Sequence, residues 1–110
     1  MSKSFVKDSF QATINSADAS SATQVKAKTA NKRICITTLV CSVGSAMNVK
    51  FQDDAGTPAV VIQPIYLAAN GGFVATWDKE NPLIVAENQD LDIVASTSGN
   101  VSIHVKGFLV

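Results

Sequence analysis

Residues 33–52 read RICITTLVCSVGSAMNVKFQ, and this stretch decides the fold. Over residues 33–43 apolar side chains fall on both faces of an extended chain, which is typical of a strand in the middle of a sheet. Over residues 46–52 apolar and polar residues alternate strictly, which indicates a strand with one buried face. The residues of this second strand that are predicted to face inward are Met47, Val49 and Phe51.

The same alternation continues outward from this stretch and covers most of residues 23–108, with no helical period. Turn signals separate the short strands: Asp53-Asp54-Ala55-Gly56, Asn70-Gly71-Gly72 (which predicts a hairpin) and Ser98-Gly99-Asn100. Pro64 has no N–H to donate and marks an edge strand or a bulge. About eight strands at this spacing predict an all-β fold, a single antiparallel two-sheet sandwich of jelly-roll type.

The first residues differ from the rest of the chain. Residues 1–22 are mostly small and polar, and their few large apolar residues lack a sustained period. We therefore expect an extended N-terminal arm over residues 1–22, free or packed as a strand on its own or a neighbour's sheet, followed by a sandwich domain over residues 23–110. An ordinary first strand followed by a long loop explains the same residues equally well.

The composition bears on partners. Hydrophobic residues make up 46% of the 110-residue chain, charged residues only 16%, and the net charge is zero. A weakly charged surface suggests contact with neighbouring subunits, although a surface rich in Ser, Thr, Asn and Ala accounts for it equally well. The only local basic excess is Lys26, Lys28, Lys32 and Arg33. Four basic residues at a strand entry are typical of a solvated edge, so we do not expect nucleic-acid binding.

The sequence also predicts where the protein is found and the state of its thiols. Residues 1–8 contain no apolar segment of a secretory signal, and no apolar stretch reaches the ~20 residues of a membrane helix. We expect synthesis in the cytoplasm and no membrane association. Cys35 and Cys41 lie in one predicted strand, about 20 Å apart at 3.3 Å per residue, and should be free, buried thiols.

The residues suited to catalysis are sparse. His104 is the only histidine, and its position predicts an outward side chain beside Ser102 and Lys106. Neither a nucleophile with a base nor a phosphate-binding loop is recognisable, so we expect no enzyme activity, no catalytic or cofactor-binding residue and no cofactor. The acidic pairs Asp53/Asp54, Asp78/Glu80 and Asp90/Asp92 do not have calcium-loop spacing, and no metal ligand is predicted.

Aromatic residues leave one binding function open. Phe73 and Trp77 share a face of one predicted strand, and Tyr66 lies on the strand before it. Exposed rings would suit a sugar-binding platform, whereas aromatic residues at strand spacing usually belong to the core. Exposure of Tyr66 and Trp77 would favour the carbohydrate-binding interpretation, and their burial would exclude it.

The C-terminal part of the chain has a recognisable pattern. It runs through LAANGGFV (67–74), NPL (81–83), ENQDLDI (87–93) and VSIHVKG (101–107). This pattern resembles small β-sandwich virion proteins of tailed bacteriophages, particularly capsid cement (decoration) proteins.

The resemblance implies a non-enzymatic virion structural protein that binds the phage capsid surface and stabilises the lattice. It implies two partners: a second and third copy of the chain in a homotrimer, and a major capsid protein or another virion protein. The expected location is the virion, after synthesis in the host cytoplasm. The competing function is that of a carbohydrate- or receptor-binding β-sandwich module.

Overall fold

The computed structural model describes residues 8–110, and the first part of the predicted arm, residues 1–7, lies outside the described residues. The described part contains nine β-strands and no helix. This confirms the predicted all-β, two-sheet antiparallel sandwich. The strands are β1 (Ser9–Ser16), β2 (Thr23–Lys26), β3 (Ile34–Val43), β4 (Met47–Gln52), β5 (Val60–Leu67), β6 (Gly72–Thr76), β7 (Leu83–Val85), β8 (Leu91–Ala95) and β9 (Val101–Leu109).

The strand pairing is nested. In sheet A the order is β1-β9-β3-β6, with β7 also on β3, and in sheet B it is β2-β8-β4-β5. The first strands therefore pair with the last ones in reverse order: β4 with β5, β3 with β6 and β7, β2 with β8, and β1 with β9. A long antiparallel hairpin rolled across two sheets in this way is a jelly roll.

Strand β3 is central, as its apolar pattern predicts. It pairs along its whole length with β9 on one side and with β6 and β7 on the other. A β-bulge at Thr37 shifts the register between β3 and β9. On the other side of β3, the Thr37 carbonyl accepts the Trp77 backbone N–H at 2.8 Å, where β6 has ended and β7 has not begun. This interruption divides one sheet edge into two short strands and explains the ninth strand.

The core lies between the two sheets and is built from alternate residues of their inner faces. Met47, Val49 and Phe51 face inward as predicted, and so do Val101, Ile103 and Val105 of β9. The largest fully buried side chains also include Ile34, Ile36, Leu39, Leu91, Ile93 and Val85. The predicted inward residues of β4 thus meet those of β9 in one core.

Part of the predicted arm lies in sheet A. Residues 9–16 form β1, which pairs in unbroken antiparallel register with β9, from Ser9 opposite Phe108 to Ser16 opposite Val101. Phe10, Ala12 and Ile14 are half-buried and pack against the core. The described part of residues 1–22 thus contains a strand on the chain's own sheet, which fits both a packed arm and an ordinary first strand.

The turn at Asn70-Gly71-Gly72 corrects one prediction. The strands on either side pair in different sheets, β5 with β4 and β6 with β3, so the turn crosses the sandwich and is not a hairpin. Asn70 has a φ of 62°, the left-handed conformation that asparagine tolerates. Pro64 lies on β5, the edge of sheet B, beside a register shift, and so meets both predictions made for it.

Candidate functional site

The outer face of sheet A, the side turned away from the core, carries exposed apolar residues. Val40, Val74 and Ile84 are 37%, 67% and 52% exposed. Val40 lies opposite Val74 in the β3–β6 pairing, while Ile84 lies opposite Cys35 at the other end of β3. We call Val40, Val74 and Ile84 the outer apolar patch. Exposed apolar side chains on the outer face of a sheet, here on β3 and on the edge strands β6 and β7, are suited to contact with another macromolecule.

This face is also nearly uncharged. The register of β1, β9, β3, β6 and β7 places hydroxyl and amide side chains around the outer apolar patch, together with His104 and Lys106. None of the outward strand residues on this face is an aspartate or a glutamate. A partner docking here would therefore leave few charges without water, which is the main polar cost of forming an interface.

Two shallow depressions lie on sheet A, at opposite ends of β1 and β9. One, of about 420 Å³, is lined by polar groups that include Asn15, Ser42, Asn100 and Ser102. The other, of about 280 Å³, lies at the opposite end of β1 and β9, beside Gln11, Thr37 and Lys106. Both are open to solvent and are lined mainly by hydroxyl, amide and backbone groups, which suits hydrogen bonding to a polar partner better than enclosing a small apolar ligand.

His104 lies on this face, where the sequence predicts it. It is opposite Val40 on one side and Thr13 on the other. None of these neighbours is an acid that could orient the imidazole for proton transfer. The position of His104 therefore provides a polar group at the margin of the outer apolar patch.

Two of the three acidic pairs come together in space. Asp53 and Asp54 follow β4, while Asp90 and Asp92 flank the start of β8. The Asp53 carboxylate accepts the backbone N–H groups of Ala55 and Ala59, at 3.1 and 2.9 Å, and is thus used to hold its own loop. Asp54 accepts the Asp90 backbone N–H at 2.9 Å. Across residues 8–110, no group of three or more His, Cys, Asp or Glu side chains is placed to hold a metal ion.

Asp92 is the acid of this group whose ionised form is disfavoured. Its side chain is largely buried, and desolvation, then the neighbouring Asp90, Asp54 and Asp53 charges, raise its pKa. A carboxyl group whose pKa is higher in the folded protein stabilises the fold below its unfolded pKa of 3.8. This stabilisation is lost as the pH rises through the folded pKa. The ionised form of Asp92 is therefore the form that opposes folding.

We expect Asp92→Asn to raise the free energy of unfolding at pH 7, because the amide keeps the shape and removes the charge. The gain over the wild type should disappear at about pH 3, where Asp92 itself is neutral. Urea denaturation at the two pH values measures both effects. Asp54→Asn is the control and should be destabilising at pH 7, since hydrogen bonding from Asp90 lowers the pKa of Asp54. A gain that persists at low pH would contradict the electrostatic cause.

The basic residues are dispersed rather than gathered into a patch. Lys32 forms an ion pair with Asp8 at 3.2 Å, and Arg33 lies 3.8 Å from Glu87. The Lys26 ammonium stands 5.1 Å from the centre of the Phe10 ring. These contacts involve three of the four basic residues of this local excess.

The aromatic residues divide. Trp77 and Phe73 are half-buried and pack against the core, so they do not form an open platform. Tyr66 is 79% exposed on the outer face of sheet B, opposite Asn48. A single exposed ring beside an amide can stack on one sugar, and among residues 8–110 this aromatic side chain fits the carbohydrate-binding alternative.

The two cysteines are free and buried, as predicted, and both lie in β3. The two side chains lie on opposite faces of sheet A, which their spacing in the sequence did not indicate. An even separation places two residues on the same face of a regular strand, but the bulge at Thr37 inverts the alternation. Cys41 therefore faces the core, whereas Cys35 is on the outer face of sheet A, between Ile84 and Phe108.

We expect neither thiol to react with iodoacetamide at pH 8 in the folded protein, and both to react in urea. Burial raises the pKa of Cys41 from 9.0 to about 11 and raises that of Cys35 as well. The pKa of Cys41 is higher in the folded protein than in the unfolded chain. The contribution of this thiol to stability is therefore complete below pH 9 and is lost towards pH 11. The stability difference between wild type and Cys41→Ala should shrink over that range, and a constant difference would contradict the assignment. Mass spectrometry follows the labelling.

The sequence pattern gave only part of this site. Apolar residues on both faces of β3 predicted its central position, but they did not indicate that Val40 is exposed or that Val74 and Ile84 lie on the same face.

Neither a protein family model nor a curated protein sequence matches the chain. None of the described residues belongs to a helix long and apolar enough to cross a membrane.

Proposed function

We propose that this chain is a non-enzymatic virion structural protein that binds a phage capsid surface through the outer face of sheet A and stabilises the lattice. The observation that carries the proposal is the outer apolar patch of Val40, Val74 and Ile84 within a nearly uncharged face. The jelly roll is compatible with it, because viral capsid proteins use this architecture, although lectins use it too. The resemblance over residues 67–110 supplies the capsid as the partner.

The mechanism is burial without chemistry. Removing the patch from water contributes roughly 25 cal/mol for each Å² of apolar area, and the surrounding hydroxyl and amide groups hydrogen-bond at the rim. Bridging two capsid subunits with one rigid sandwich would oppose their separation. The homotrimer implied by the resemblance would multiply this attachment, because linked sites bind with a high effective concentration.

The test uses capsids from the phage that encodes the chain, prepared without it, and measures binding by co-sedimentation. The double variant Val74→Lys with Ile84→Lys should weaken binding at least tenfold, because two ammonium groups would lie in the desolvated contact. Tyr66→Lys is the control: it places one ammonium group on the outer face of sheet B and should bind as the wild type does. Equal binding by the double variant, or no binding by the wild type, would contradict the proposal.

The second candidate is a carbohydrate- or receptor-binding module, which the exposure of Tyr66 favours. In this case Tyr66→Ala should abolish binding to glycans on an array, while the double lysine variant should retain it. The two candidates thus place the binding residues on opposite faces of the sandwich. One pair of variants separates them.

A further inference from the structure

Three of the four sheet edges carry features that prevent pairing with another strand. On sheet B, β2 has only four residues and a register shift, and β5 contains Pro64 with further register shifts. On sheet A, the edge beyond β3 is divided into the short strands β6 and β7. Short strands, bulges and prolines are the usual means of blocking edge-to-edge association.

The fourth edge, β1, has none of these features. Its eight residues, SFQATINS, contain no proline, no glycine and no charged side chain, and they pair with β9 without a register shift. Within residues 8–110, no other strand hydrogen-bonds to its free side. A long, regular and uncharged edge strand is a template for the addition of another strand.

The hydrogen-bond pattern identifies the free groups. The Asp8 carbonyl accepts the Leu109 N–H at 3.1 Å, so Asp8 and Leu109 form a hydrogen-bonded pair in the β1–β9 ladder. Such pairs alternate along an antiparallel ladder, and the even-numbered residues of β1 therefore bond to β9. The backbone N–H and C=O groups of the odd-numbered residues point to the open side. These residues are Ser9, Gln11, Thr13 and Asn15.

We propose that the free edge of β1 binds the same edge of a second copy of this chain, antiparallel and around a two-fold axis at Ala12. In this register Gln11 faces Thr13 and Ser9 faces Asn15, so each free backbone group meets its complement, with about eight hydrogen bonds in all. The inference does not rest on a virion role, and a two-fold dimer competes with the homotrimer that the resemblance implies.

The side chains are complementary to themselves in that register. On the inner face Phe10 meets Ile14 on each side of the axis, and the small Ala12 occupies the axis, where the strands approach most closely. Phe10, Ala12 and Ile14 are only half-buried in the single chain, so the second copy would cover them further. A charged residue near a two-fold axis would face the same charge on the second copy, and β1 contains no charged residue.

The test places charges at the positions that face each other. Gln11→Lys with Thr13→Lys opposes like charges across the axis, whereas Gln11→Lys with Thr13→Glu opposes unlike charges in the same register. All of these side chains are exposed, so both variants should fold, which a thermal melt verifies. Sedimentation velocity over a range of concentrations measures the association of the full-length chain.

We expect the wild type to dimerise, the double lysine variant to dissociate at least tenfold more readily, and the lysine–glutamate variant to dimerise like the wild type. A wild type that is monomeric at every concentration, or that forms only trimers, would overturn the proposal. Equal dissociation of the two variants would overturn the register at Ala12. A double lysine variant that dimerises as tightly as the wild type would exclude β1 from the contact.

Discussion

Gly107→Ala is expected to destabilise the domain by about 3 kcal/mol, a large part of the total stability of a small protein. Gly107 lies in β9 opposite Ile36, next to the bulge at Thr37. A Cβ atom at this position would overlap the carbonyl oxygen of Cys35, which belongs to the backbone of the neighbouring strand. Backbone in the middle of a sheet cannot move aside as a flexible side chain can. The added methyl group must therefore separate β3 from β9 locally.

Gly56→Ala is the matched control. It adds the same methyl group in the loop after β4, where nothing lies within 4 Å of the new atom. Its effect should be neutral or slightly stabilising, because alanine reduces the freedom of the unfolded chain. Urea denaturation of both variants and the wild type gives the comparison. Two variants of equal stability would mean that β3 and β9 are not in contact at Gly107.

Phe51→Ala is expected to cost about 3–5 kcal/mol, enough to leave the domain marginally folded or unfolded at 37 °C. Phe51 is fully buried, the largest such side chain among the described residues, and it packs between the two sheets. Truncation removes its apolar contacts and leaves a cavity that the surrounding strands cannot close. Thermal unfolding monitored by circular dichroism should show a fall in Tm of 10 °C or more, at roughly 4–8 °C per kcal/mol.

Tyr66→Ala provides the comparison for Phe51. It also removes an aromatic ring from sheet B, but that ring is 79% exposed and lies on the opposite face. Its effect on stability should stay within about 0.5 kcal/mol, as for other surface substitutions. If Tyr66→Ala destabilised the protein as much as Phe51→Ala, the assignment of inner and outer faces in sheet B would be wrong.

The stability variants also separate folding from function. Gly107→Ala and Phe51→Ala should reduce any association only through loss of the folded domain, whereas substitutions in the outer apolar patch or at Gln11 and Thr13 should leave the melting temperature nearly unchanged. Binding measurements are therefore compared among variants that melt like the wild type.

The sequence by itself determined the class of fold and most of the core. Side chains alternate between the faces of a strand, so the spacing of Met47, Val49 and Phe51 was enough to predict that all three are buried. The apolar pattern of residues 33–43 predicted a central strand for the same reason. These are local properties of an extended chain, and they require no knowledge of which strands are neighbours.

Only the tertiary structure decided which strands pair, and every feature of the candidate surfaces depends on that pairing. The turn at Asn70 has the residues of a hairpin, yet it joins two sheets, because local turn chemistry does not record where the next strand finds its partner. The bulge at Thr37 places Cys35 and Cys41 on opposite faces of the sheet, since one added residue changes the alternation for the rest of a strand. The outer apolar patch joins Val40, Val74 and Ile84 across three strands, and the edge of β1 is open because no other strand within residues 8–110 pairs with it on that side. These are contacts between distant parts of the chain, and a periodic pattern within one segment contains no information about them.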